Sequence, residues 1–324
     1  MNALVFKDFG DASKVLSFQN LEKPTIKSNE LLIKVFASPI NPSDLLQING
    51  IYPIRPCKEN ELYIPGNEGS GVVVDVGSDI KDLQKGDHII IAGAAVGTWR
   101  THLTVTRDQI IKANNDLDLR HAAILSINPT TAFRMLKDFG THKAVIQSAA
   151  NSNVGRMVIQ MARLLGMKTI NIVRDRKDIE LLRNELTDLG ADYVFTDKEL
   201  ATKDTFAKIS ELKPTLALDP VSGEVAGNMA NTLDRNGILV SYGSMTQTPV
   251  PVSAAILIFK NISFKGFWIA SWFMTHSNEE KTQMFNEIEQ MVLSGKVAIP
   301  NLREYPISEY KTAFEKGDKA IFIL

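Results

Sequence analysis

Sulfur is scarce in this sequence: among 324 residues there is one cysteine, Cys57. A single thiol can form neither an intrachain disulfide nor a Cys-cluster zinc site. Nothing in the neighbouring sequence activates it, so it reads as a loop cysteine rather than a nucleophile. An excess of one charge is also missing. Lys and Arg number 36 against 37 Asp and Glu, a net charge of −1. Nucleic acid is therefore excluded as the main partner, because binding phosphate chains needs a basic excess. Long apolar runs are absent too. Residues 89–96 and 254–259 are the longest, and a membrane span needs roughly 18 apolar residues. The five His residues show no metal-binding spacing. The start, MNALVFKD, lacks the basic-then-apolar order of a secretory signal, and Asp8 and Asp11 are foreign to a mitochondrial presequence. The expected location is cytoplasmic, or the mitochondrial matrix if the chain is a processed form.

What is there is globular: 44% hydrophobic and 23% charged residues. The length suggests two domains at about 150 residues each, enough to bury cores without cross-links. Residues 1–118 are β-rich and punctuated by Gly and Pro, with strand-like runs at 30–38 (ELLIKVFAS), 71–77 (GVVVDVG) and 88–92 (HIIIA). Residues 119–265 alternate strand and helix: AVIQS at 144–148, a helical pattern at 154–167, TINIV at 169–173, a helix at 177–189, then strands at 215–218, 238–242 and 262–267. That alternation implies a doubly wound parallel sheet. Residues 266–324 hold a helix at 278–294 and then turn β-rich again, as if returning to the first domain. The fold class is α/β, with a nucleotide domain inserted in a split β-rich one.

The strand at 144–148 runs into Ala149-Ala150-Asn151-Ser152-Asn153-Val154-Gly155 and a helix. Free N–H groups and the helix dipole suit such a turn to a pyrophosphate. Of the usual Gly-x-Gly-x-x-Gly only Gly155 is present, and an ordinary strand–helix turn explains the segment equally well. Asn151 or Asn153 could adopt the left-handed geometry a missing glycine would supply. Arg174-Asp175-Arg176 begins 174 − 155 = 19 residues after Gly155, where the residue that reads the adenosine ribose belongs. An Asp there suits the 2′-hydroxyl of NAD, and an Arg suits the 2′-phosphate of NADP. Two arginines flank one aspartate, which favours NADPH.

Several separated stretches occur in the order of one family: NPSDLLQINGIY (41–52), GNEG (66–69), GTWR (97–100), INPTTAFRML (127–136), VIQSAANSNVG (145–155), INIVRDR (170–176), SYGSM (241–245) and IFKNISFKGFWIASW (258–272). Over essentially its whole length the chain resembles the medium-chain dehydrogenase/reductase superfamily. Within it the chain looks like the zinc-independent 2-enoyl thioester reductases, the mitochondrial-type trans-2-enoyl-CoA/acyl-carrier-protein reductases. The resemblance implies a GroES-like β-rich catalytic domain beside a Rossmann domain. Zinc-dependent members carry Cys and His where this chain has Asn41 and Asn67, so no metal is expected. Two departures stand out. Asn153 stands where the family's Asn-Ser-Gly-Val-Gly turn has its first glycine, and Pro53-Ile54-Arg55-Pro56 follows Tyr52 where a glycine is expected.

The activity implied is NADPH-dependent reduction of the 2,3 double bond of enoyl thioesters, of the fatty acid synthesis type, with CoA or acyl carrier protein as the carrier. Tyr52 aligns with the family's proton donor; a phenol is protonated at neutral pH. Without the family, Tyr52 would read as a packed loop tyrosine. Asn151, Ser152, Asn153, Val154, Arg174, Asp175 and Arg176 fall in the cofactor positions, as do Tyr242, Gly243, Ser244 and Met245. Asn128 aligns with a cofactor contact and is also good helix-start chemistry before Pro129. Phe267, Trp268 and Ile269 match the segment beside the nicotinamide, or form a buried aromatic strand. Lys319 matches a last cofactor contact, or is a solvated lysine. Trp99 lines the acyl channel or packs between domains; Arg55, Lys58 and Arg100 are candidates for the carrier's phosphates. A zinc-free NADPH:quinone oxidoreductase and a non-catalytic NADPH-binding sensor are the alternatives. The apolar segment 256–267 is the expected strand edge for a homodimer.

Overall fold

The computed structural model describes residues 1–317 and 319–324. The chain divides into two compact units: Met1–Ile127 with Ala270–Leu293 and Ile299–Leu324, and Asn128–Ile269 with Ser294–Ala298. These limits lie beyond the 118/119 and 265/266 boundaries read from the sequence. The reason is local packing. The short helix Leu119–Ala122 is held to the first unit by Ser70 Oγ, which donates to the Leu119 carbonyl at 2.6 Å. Ala123 and Ile124 pack on Ala37 and Ile321 in the same unit. Residues 294–298 instead join the second unit, where Gln160 accepts from Ala298 N at 2.7 Å and donates to its carbonyl at 3.1 Å.

The first unit is built on Glu30–Pro39, a ten-residue strand. Gly69–Val76 pairs antiparallel along one flank. The other flank is shared: His102–Thr106 takes its first half and Ala320–Ile323 its last. His88–Ile91, Ile110–Lys112 and Arg303–Pro306 complete the seven strands. Leu31, Ile33, Val35, Val73, Ile89 and Ile91 are buried together, each stabilising the unit by roughly 1.5–3 kcal/mol.

The second unit is a six-stranded sheet in the order Tyr193–Thr196, Lys168–Val173, Ala144–Gln147, Leu216–Asp219, Ile238–Ser241 and Ser263–Gly266. Every pairing is parallel, so all six C-terminal ends lie along one edge, where open α/β sheets hold ligands. The chain enters at Ala144–Gln147 and later crosses to Leu216–Asp219 on its other side, which makes the end of Ala144–Gln147 the switch point of the sheet.

One expected strand is corrected. Residues 256–260 lie in the helix Ala254–Lys260, and only Ser263–Gly266 is the edge strand. Ser253 caps the helix by accepting from Ala255 N, and Asn261 ends it in the left-handed conformation at φ 53°. Those two polar residues override the β-like apolar run between them.

Candidate active site

At the switch point, Ala144–Gln147 leads through residues 148–152 into the helix Asn153–Leu164. Ser152 is the N-cap and accepts from Gly155 N at 3.1 Å. The left-handed residue of the turn is Ala149, at φ 48°; neither Asn151 nor Asn153 is among the residues with positive φ. Asn153 and Val154 are the first two helical residues, so the expected asparagine-for-glycine substitution in the turn is not what the backbone uses. Gly155 has a different task. A Cβ there would lie 2.6 Å from the Ala150 carbonyl oxygen and 2.7 Å from its Cα, so only glycine lets the helix approach the backbone of the turn this closely. Helix Asn153–Leu164 thus points its unpaired N–H groups and positive dipole end at the switch point.

Strand Lys168–Val173 ends next to it, and Arg174, Asp175 and Arg176 follow, all exposed. Their charges are committed differently. Asp175 pairs with Lys198 Nζ at 2.6 Å, which holds its carboxyl below the usual range. Arg176 pairs with Asp178 at 2.8 Å. Arg174 makes no ion pair among the described residues.

Beyond the strand Ile238–Ser241, Tyr242 N donates to the Asp219 carbonyl and Met245 N to the Pro220 carbonyl. This lays residues 242–245 across the end of the neighbouring strand. Asp219 is fully buried and accepts from Ser148 Oγ at 2.5 Å and Ser222 N at 2.8 Å. Burial first, and the Asp219 carboxylate second, push the Tyr242 phenol well above its usual range; Ser152 opposes them. Phe267 and Trp268 are half-buried and follow the strand Ser263–Gly266 rather than lying in it, and Ile269 opens the next helix. Asn128 is the first residue of Asn128–Asp138. All these candidates belong to the second unit; Tyr52 and Lys319 belong to the first. Lys319 is exposed, and its carbonyl accepts from Arg303 N at 2.9 Å.

In the first unit, Tyr52 follows the helix Pro42–Ile48. The Leu46 carbonyl accepts from both Ile51 N, at 3.0 Å, and Tyr52 N, at 3.2 Å. Gly50 makes the reversal at φ 76°, where a Cβ would meet the Phe9 ring at 3.2 Å. At the other end of this helix lies a buried network that sequence reading did not bring out. Asn41 Nδ2 donates to Glu68 Oε1 at 2.7 Å, and Asn67 Nδ2 donates to Asp44 Oδ1 at 2.6 Å and Gln47 Oε1 at 2.9 Å. Glu68 Oε2 accepts from Ser126 Oγ at 3.1 Å and Ile127 N at 2.9 Å, and Asn41 N donates to Asp44 Oδ2 at 2.8 Å. Both carboxyls are removed from water, and burial dominates: Asp44 is pushed up to about 7 and Glu68 to about 8.

The zinc of related dehydrogenases does not fit these residues. Asn41 and Asn67 aim N–H donors at the carboxyls, and an N–H donor cannot ligate a cation. Among the described residues no group of three His, Cys, Asp or Glu is placed to hold a metal.

Other candidates are settled by burial. Trp99 is 0% exposed in the core of the first unit, edge-on to Phe322 and donating to the Pro39 carbonyl at 3.3 Å, which closes it to a substrate channel. Arg100 is 2% exposed and pairs with Glu59, which removes it from phosphate recognition. Arg55 lies over the Phe9 ring at 4.5 Å and Lys58 pairs with Glu61 at 3.7 Å; both are exposed. Burial raises the Cys57 thiol above its usual range, the opposite of activation.

Residues 27–115 match the alcohol dehydrogenase GroES-like domain family, and residues 153–290 match the zinc-binding dehydrogenase family. The mitochondrial enoyl-[acyl-carrier-protein] reductase of Mus musculus is 39% identical over 323 residues, covering 98% of this chain and 86% of that protein. The mitochondrial 2-enoyl thioester reductase Etr1p/Etr2p heterodimer of Candida tropicalis superposes with a TM-score of 0.92 at 30% identity, over 100% of this chain and 99% of that one. A complex of Etr1p with NADP and crotonyl-CoA gives 0.92 at 29% identity over the same shares. The GroES-like unit, the parallel nucleotide-binding unit and the metal-free amide network agree with these likenesses, and the chain belongs to the zinc-independent enoyl thioester reductases of the medium-chain dehydrogenase/reductase superfamily.

Proposed function

We propose that this enzyme reduces the 2,3 double bond of trans-2-enoyl thioesters with NADPH, and that Tyr52 is its proton donor. The observation that carries the cofactor choice is the division of charge after Lys168–Val173. Asp175, which would suit NAD, is paired with Lys198, whereas Arg174 is exposed and has no ion pair among the described residues. A guanidinium in that position matches a 2′-phosphate. Asn153 and Val154, the first helical residues, offer N–H groups to the pyrophosphate beside Asn151 and Ser152, and residues 242–245 with 267–269 flank the switch point from the next strands. Asn128 and Lys319 complete the proposed contacts.

Bound NADPH supplies the hydride that reduces the β-carbon. The thioester carbonyl then carries enolate charge, and the α-carbon needs a proton. The Tyr52 hydroxyl donates that proton and regains one from solvent, so the double bond is saturated and charge balances. No Lewis-acid role falls to residues 41 and 67, whose amides are committed to Glu68 and Asp44.

The relatives' names support acyl carrier protein as the carrier, and the crotonyl-CoA complex supports CoA thioesters as usable substrates. Their mitochondrial names support the mitochondrion over the cytoplasm as its compartment. No helix among the described residues is long and apolar enough to cross a membrane. The edge strand Ser263–Gly266 is exposed throughout and sits beside Ile258 and Phe259, each 70% exposed, which supports pairing with a second copy. Light scattering reads that mass directly.

The test is NADPH oxidation with a trans-2-enoyl-CoA and, separately, with a quinone. The enoyl thioester is expected to be consumed and the quinone not. Tyr52→Phe is expected to lower kcat by about 10²–10⁴-fold with NADPH binding intact; unchanged turnover would remove Tyr52 as donor.

A further inference from the structure

The Tyr52 loop is bracketed by two fixed points, and only one of them is backbone. Before Tyr52, the Leu46 carbonyl accepts from Ile51 N and Tyr52 N. After it, the Ile54 carbonyl accepts from Gln47 Nε2 at 3.1 Å. Gln47 is 1% exposed, and its own Oε1 accepts from Asn67 Nδ2 at 2.9 Å. Asn67 is fixed in turn: Nδ2 also donates to Asp44 and Oδ1 accepts from Ala95 N at 3.2 Å. The amide orientation follows from these partners. Ala95 N only donates, so Asn67 must present its oxygen there and its N–H₂ to Asp44 and Gln47; the Ile54 carbonyl only accepts, so Gln47 must present its N–H₂ to the loop and its oxygen to Asn67. A buried carboxyl, two side-chain amides and one loop carbonyl form a single chain of donors and acceptors.

The geometry points to Gln47 as a positioning residue for Tyr52, held in the working orientation by Asn67. This rests on the reading of Tyr52 as proton donor. Gln47 does not touch the reacting atoms. It fixes the carbonyl two residues beyond Tyr52, in a segment with no regular secondary structure. Proton transfer depends steeply on placement, and a displacement of about 1 Å costs up to about a hundredfold in rate.

The test is a double-mutant cycle on the intact enzyme, with turnover of an enoyl-CoA, NADPH affinity and melting temperature measured together. Gln47→Met keeps the volume and removes both hydrogen bonds. Gln47→Glu keeps the acceptor for Asn67 and removes the donor to Ile54. Each is expected to lower kcat about ten- to a hundredfold while NADPH affinity stays at the parent value. In a Tyr52→Phe background the same changes are expected to have little further effect, because there is no longer a donor to misplace. A merely structural role would lower kcat by the same factor in both backgrounds, and that additivity would overturn the proposal. Parent-level kcat in both folded Gln47 variants, with Tyr52→Phe impaired, would overturn it as well. If Tyr52→Phe itself keeps full turnover, the reading of Tyr52 fails first, and that result is separate from the Gln47 outcomes.

Discussion

Glu68→Gln tests whether the buried carboxyls carry protons. Glu68 is 1% exposed and its acid is pushed up to about 8 from an ordinary 4.5. Below about pH 4.5 the folded and unfolded chains both hold this proton. Between about 4.5 and 8 only the folded chain does, so stability falls as pH rises through that window and levels off above it. The span is 8 − 4.5 = 3.5 units, on the order of 5 kcal/mol at about 1.4 kcal/mol per unit. In the neutral acid Oε1 accepts from Asn41 and Oε2 from Ile127 N, while the Ser126 hydroxyl, which donates to the carboxylate, turns to accept the acid's proton. Glutamine repeats all of this except one contact. Its second N–H faces the Ile127 N–H, and a buried donor left without an acceptor costs about 1–3 kcal/mol. At about pH 5, therefore, Glu68→Gln should melt below the parent by roughly 2–4 °C per kcal/mol. As pH rises to about 9 the parent loses stability that the variant keeps at this position, and the gap should close and then invert. Calorimetric melting at steps across that range, without cofactor, reads both effects. Parallel curves with an unchanged gap would refute the claim that Glu68 is protonated in the folded protein.

Two further predictions concern the cofactor unit. Arg174→Ala should weaken NADPH binding about 10- to 100-fold, the value of a charge-assisted hydrogen bond, and leave NADH binding unchanged. Arg176→Ala should do less, because that guanidinium already pairs with Asp178; fluorescence titration with both nucleotides separates the two. Gly155→Ala forces a Cβ to within 2.6 Å of a backbone oxygen, which should cost about 1–3 kcal/mol of stability and weaken NADPH binding. An unchanged melting temperature would mean the turn is slacker than its geometry.

Much of the second unit could be read from the chain because strand and helix periods are local properties. TINIV at 169–173 and the apolar spacing after Val154 needed no tertiary help. The run 256–260 misled because its deciding signals were caps, Ser253 and Asn261, rather than period. Resemblance picks out Asn128, Tyr242 and Phe267 but not their neighbours, because Asp219 reaches Ser148 across 71 residues. Trp99 sits in a short motif that suggests a place on the substrate channel, yet contacts with Phe314 and Phe322 put it in the core of the first unit.

The sequence by itself determined the absence of zinc ligands at residues 41 and 67, the alternating α/β order, and the pairing of a helix N-terminus with arginines 19 residues on. The first rests on the resemblance to zinc-dependent relatives, and the other two on residue type at fixed spacing, which folding does not alter. Only the tertiary structure decided what replaces the metal. Asn41 meets Glu68 across 27 residues and Asn67 meets Gln47 across 20. Burial then converts two ordinary carboxyls into acids near neutral pH, an outcome set by the water excluded around them and by no feature of the sequence nearby.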